Sequence, residues 1–106
     1  MFQAQELSFQ AIAALRPVVE KLKRRSSGLA DQLERAATSV ALNLAEGNYA
    51  QAGNRRARFF TAKGSANESL AALRAAVEWG HIPAADAEAA RELLTRIVAM
   101  LWKLTR

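Results

Sequence analysis

At 106 residues, with 51% hydrophobic and 24% charged residues and no cysteine, the chain has material for one core. That composition excludes a disordered chain, a disulfide framework, a thiolate nucleophile and a cysteine-based zinc site. Fifteen Lys and Arg against ten Asp and Glu leave a net charge of +5, which favours anionic partners such as nucleic acid over basic ones.

The first segment, MFQAQELSFQ, has no basic region followed by an apolar run, so it does not read as a signal peptide. Nowhere do about 18 apolar residues follow one another as a membrane span needs, and a cytoplasmic location is expected. The spacing of Leu7, Ala11, Leu15, Val18, Val19 and Leu22 predicts a first helix over about Gln5 to Lys23. Pro17 falls inside it. A proline there lacks a backbone donor and meets the carbonyl four residues back, which predicts a bend near Ala13 to Arg16 or a restart at Pro17. Lys21, Lys23, Arg24 and Arg25 suit the negative end of the helix dipole, and Ser26-Ser27-Gly28 reads as a turn that caps the next helix.

The second helix is expected over Gln32 to Gly47, QLERAATSVALNLAEG, with Leu33, Ala36, Ala37, Val40 and Leu44 on its apolar face and Gly47 as a left-handed cap. Beside that face, Gln32, Arg35, Ser39, Asn43 and Glu46 form a polar stripe, which a helix bathed in water on its far side does not need. Arg35, Ser39, Asn43 and Glu46, with Ser65 and Glu68 of the next helix, therefore read as a hydrogen-bonded network fixing register between helices. Gly47 to Asn54, GNYAQAGN, reads as a loop.

A third helix is predicted from Arg55 to Trp79, with Phe59, Ala62, Ala66, Leu70, Leu73 and Val77 inward and Gly80 past its end. Gly64 inside it costs about 1 kcal/mol relative to Ala, which a close helix crossing would justify. After Pro83, a last helix carries Ala87, Ala90, Leu94, Ile97, Leu101 and Leu104. Leu93, Val98, Met100 and Trp102 widen its apolar arc enough to call for a second contact, with another subunit the simplest source. Four helices with short connections predict an all-α, antiparallel up-down-up-down four-helix bundle, a single domain over 1–106.

Candidate chemistry is sparse. His81 is the single histidine and sits in a turn, where it suits a cap or the surface; Glu46 and Glu68 have no nucleophile or histidine to work with. No catalytic residue, metal ligand set or cofactor site is expected, and the protein does not read as an enzyme. The basic residues carry more. Lys23, Arg24 and Arg25 end the first helix, and Arg55, Arg56 and Arg58, with Lys63 beyond them, open the third. These two groups fall at opposite ends of an up-down bundle. Arg55 and Arg56 also oppose the dipole at a helix start, a local cost that an anionic partner offsets. The aromatics Phe60 and Tyr49 alone make a poor stacking platform for bases, and sequence-specific readout is not indicated.

Residues Arg35, Ala36, Ser39, Val40, Asn43, Leu44, Ala45, Glu46 and Gly47, then Arg58, Phe59, Ala62, Gly64, Ser65 and Glu68, then Gly80, carry a pattern that resembles the ribosomal RNA intervening-sequence family of four-helix-bundle proteins. The resemblance implies a bacterial cytoplasmic bundle that assembles into a ring, typically a homopentamer, with no enzyme activity. It also looks like the accessory protein of diversity-generating retroelements, a basic barrel that binds nucleic acid and a reverse transcriptase. The loop after Gly47 departs from the pattern: Tyr49, Ala50 and Ala52 stand where a Gly, a basic residue and a Ser are usual, and Arg55 where an acidic residue is. Two functions are expected to compete. One is an oligomeric module holding RNA or DNA by its phosphates through Lys23, Arg24, Arg25, Arg55, Arg56 and Arg58. The other is a protein-only scaffold or accessory subunit whose basic surface meets an acidic partner protein.

Overall fold

The computed structural model describes residues 2–106, which form four helices: α1 Gln3–Lys23, α2 Ser27–Tyr49, α3 Ala52–Glu78 and α4 Ala84–Thr105. Each helix packs on its chain neighbours, and α1 closes the set against α4, giving a four-helix bundle 42 Å long and 21 Å across. Among the described residues no helix is long and apolar enough to cross a membrane.

The core is built from the stripes expected of each helix. Leu7, Ala11, Leu15, Val18, Val19 and Leu22 of α1 meet Leu33, Ala37, Val40 and Leu44 of α2, Phe59, Ala62, Ala66 and Leu73 of α3, and Ala87, Ala90, Leu94, Ile97 and Leu101 of α4. Burial of such stripes supplies the main driving force, at about 25 cal/mol per Å² of apolar area. On α4 the wide apolar arc is largely spent inside the chain: Leu93, Val98 and Met100 are partly buried against the bundle's own core, and Leu104, expected inward, is exposed. Thr105 takes the buried position beside it.

Four local expectations meet a different outcome, for physical reasons. Of the two outcomes expected at Pro17, the restart does not occur: α1 runs through it as one helix. Pro17 and Ala13 are both exposed, so the Ala13 carbonyl left without its donor faces water. The predicted loop from Gly47 to Asn54 shrinks to Ala50 and Gln51, because α2 continues to Tyr49 and α3 begins at Ala52. Gly47 is buried within α2 and has no left-handed backbone; a Cβ there would lie 2.5 Å from Cε1 of Phe59. Its role is close packing. Gly64, expected at a close crossing, is exposed, and a Cβ on it would meet nothing within 4 Å.

The helix ends follow ordinary capping chemistry. Ser26 caps α2 by accepting from the Leu29 backbone N–H, at 3.3 Å. At the end of α3, Gly80 adopts φ +76°, and the amides of Gly80 and His81 donate back to the carbonyls of Val77 and Ala76. That double bond pattern is the one a glycine in left-handed conformation permits. The N-termini of α1, α3 and α4 have no side-chain cap, and at α3 the residue before the helix is Gln51, so its first amides rely on solvent or on a partner.

Candidate nucleic-acid interface

The two basic groups flank α2. Its 23 residues span about 34 Å at 1.5 Å per residue, so the cluster preceding it and the cluster following it lie at its two ends. All six of Lys23, Arg24, Arg25, Arg55, Arg56 and Arg58 are exposed. They differ in their partners. Lys23 reaches Glu34 at 3.8 Å and Arg58 reaches Glu46 at 2.8 Å, each joining neighbouring helices across a solvent-facing gap. Such exposed pairs are worth about 0–1 kcal/mol. Among the described residues, Arg24, Arg25, Arg55 and Arg56 have no carboxylate within 4.0 Å. Their charge is uncompensated at short range.

Arg55 and Arg56 stand in the second turn of the uncapped α3. Both add to the positive end of the helix dipole, and the Arg55 guanidinium lies 5.4 Å over the Phe59 ring. Phe59 in turn packs on Phe2 with ring centroids 5.7 Å apart. The arginine is thereby tethered at its base while its charge stays in water.

Lys63, grouped by sequence with these arginines, belongs elsewhere. It is buried, its Nζ donates to Oγ1 of Thr105 at 3.1 Å, and the ammonium lies 4.5 Å from the Phe60 ring centroid and 4.2 Å from that of Trp102. Among the described residues no carboxylate lies within 4.0 Å of it; the hydroxyl and two ring faces offset its desolvation. Trp102 belongs by sequence to an apolar arc, and its contact with Lys63, shared with Phe60, is one that only tertiary structure reveals. The separation of 42 positions between Lys63 and Thr105 leaves no local signal of it.

The polar stripe of α2 divides into two parts. Ser39 Oγ and Ser65 Oγ are 2.8 Å apart across the α2–α3 seam, and the Asn43 amide donates to the Ser39 carbonyl and hydroxyl at 2.9 and 3.1 Å. Ser69 donates to the Ser65 carbonyl at 2.9 Å. Glu46 stands apart in its pair with Arg58. Arg35 and Glu68 border the same shallow hollow as Ser39 and Ser65 but join neither to them nor to each other; Arg35 pairs within its own helix with Asp31. Away from both basic clusters, on α4, the hydrogen bond from Arg91 holds the Glu88 carboxyl below its ordinary range. His81, expected as a cap or surface residue, is half-buried beside Trp79, and its Nδ1 has no hydrogen-bond partner.

Helices, core and capping define a four-helix-bundle protein with cationic groups at both ends of its second helix. The chain belongs to the 23S rRNA-intervening sequence protein family, whose model matches residues 3–103. A crystal structure from Bacteroides thetaiotaomicron, of a protein with unknown function from the S23 ribosomal protein family, shares the fold with a TM-score of 0.89. The identity is 19%, covering 98% of this chain and 99% of that one. No curated protein matches the chain.

Proposed function

We propose that the protein is a non-enzymatic, cytoplasmic interaction module that holds RNA or DNA by its phosphates without reading sequence. In this reading its helices alternate up and down, antiparallel, and copies assemble into a ring, so that each cationic cluster is repeated around it. The observation that carries the proposal is the exposure of Arg24, Arg25, Arg55 and Arg56 with no carboxylate within 4.0 Å among the described residues. Phosphate binding by such groups releases condensed counterions, so affinity falls linearly with salt on a logarithmic scale. Exposed Phe9, Leu42 and Tyr49 supply apolar surface for contact between copies.

Mobility shifts of the full chain at two salt concentrations check this. Binding at low salt that weakens steeply as salt rises is expected. Charge reversal of Arg24 with Arg25, or of Arg55 with Arg56, should reduce both affinity and salt slope. The two double variants should be additive in free energy, because the clusters are separated by more than the Debye length of about 10 Å at 0.1 M salt. Absence of binding at low salt overturns the reading in favour of a protein-only scaffold, such as an accessory subunit of a reverse transcriptase, for which the same reversals abolish protein binding alone. Light scattering coupled to size exclusion reports the ring, and a monomer excludes it.

A further inference from the structure

Phe60 is 54% exposed and Trp102 is 65% exposed, unusual values for large rings held in fixed positions on a helical bundle. They come from different helices. What joins them is the ammonium of Lys63, which sits against both rings and is itself held by Thr105. The inner side of each ring is thus fixed by a cation–π contact, and the remaining surface faces water.

The surroundings are cationic. Arg56, Phe60 and Lys63 recur at intervals of four and three, which places them on one face of α3, and Arg56 and Phe60 border one open hollow lined otherwise by Ala52, Gly53 and Ala57. Arg56 has no carboxylate within 4.0 Å, and neither have Lys103 and Arg106 at the end of α4, among the described residues. Two exposed rings bordered by free positive charge fit a ligand with flat apolar faces and regularly spaced anions. A single-stranded nucleic acid presents both, whereas a duplex hides its base faces in the stack. A second copy meeting this patch with its own, as in a two-fold dimer, would bring like charge to it.

We infer that Phe60 and Trp102, clamped by Lys63, form a stacking platform for the bases of single-stranded RNA or DNA, with Arg56 taking an adjoining phosphate. This deepens the reading that nucleic acid is bound and rests on it. The platform makes single strands the preferred ligand, and it assigns Lys63 a positioning role.

The chain holds two tryptophans, so Trp79→Phe leaves Trp102 as the sole indole reporter. In that variant, short oligothymidylate and oligouridylate at low salt should quench Trp102 emission as they bind, about tenfold more tightly than a duplex of equal length. Quenching by either polymer supports the platform. Phe60→Ala, followed by the same emission, and Trp102→Leu, followed by fluorescence anisotropy of a labelled strand, should each weaken single-strand binding about tenfold and leave duplex binding unchanged. Strand binding with Trp102 emission unaltered overturns the inference while leaving phosphate binding intact, as does equal affinity for duplex. A change of mass in light scattering on Trp102→Leu assigns the patch to contact between copies and also overturns it. Absence of any nucleic-acid binding removes the inference together with the function proposed above.

Discussion

Gly47 and Gly64 both lie inside helices, yet they carry opposite consequences. At Gly47 the α2 backbone approaches α3 so closely that a methyl would lie 2.5 Å from Cε1 and 2.7 Å from Cδ1 of Phe59, a ring locked between Phe2 and Arg55. The ring cannot yield without disturbing the core. Gly47→Ala should therefore destabilise the fold by about 1–3 kcal/mol, the usual cost of overpacking. At Gly64 a methyl meets nothing, so Gly64→Ala should stabilise by about 1 kcal/mol through helix propensity. Urea denaturation of the two variants checks the pair; equal signs would refute the packing role given to Gly47. Sequence marked both glycines but gave neither its role, because a glycine's neighbours across a helix interface have no local signature. Lys63 teaches the same lesson at one side chain. Its place among Arg55, Arg56 and Arg58 in the chain read as one basic surface, and its burial depends on Trp102 and Thr105 from another helix.

At the scale of the helix, the apolar stripes were legible because period and burial coincide, and every core position expected on α2 is buried. Boundaries were less so. GNYAQAGN has loop composition, yet packing of Gly47 against Phe59 and the continuity of α2 and α3 leave only Ala50 and Gln51 between them. Tertiary contact there outweighs the propensity of two glycines and two asparagines. The Ser39–Asn43 part of the polar stripe was legible as a seam, since a 3.6-residue period placed it beside the apolar face; the salt-bridge choices of Arg35 and Glu68 depend on side-chain rotamers and were not. Pro17 offers a direct measure of helix strain. It lies in a continuous α1 with its face in water, so Pro17→Ala restores a backbone donor for the Ala13 carbonyl and removes a ring clash. Thermal melting should rise, with a gain of up to about 3 kcal/mol. An unchanged or lower midpoint would mean that α1 draws stability from the proline's restricted unfolded chain instead.

For the whole molecule, both the first and the last described turns converge on one stretch of α3: Phe2 packs on Phe59, and Thr105 bonds to Lys63, four positions on. α1 and α4 are also packed side by side. Covalent order is thus nearly cyclic, and the chain can be re-cut without losing a helix contact. A short Gly/Ser linker joining Arg106 to Phe2, with new termini opened between Trp79 and Pro83, should give a permutant with the native helix content. Its stability should change by little more than the closure entropy of the linker, which grows only with the logarithm of its length. In the natural connectivity the docking of α4 on α1 closes the longest loop in the molecule and is entropically the most expensive step; in the permutant α4 and α1 become adjacent in the chain. The permutant should therefore assemble the α1–α4 seam early in refolding, and with it the clamp of Lys63 between Phe60 and Trp102 would come to depend on the return of α3. With Trp79 replaced by Phe, stopped-flow emission from Trp102 would report that reversal of order, turning a contact between chain ends into a clock for when the two rings close on Lys63.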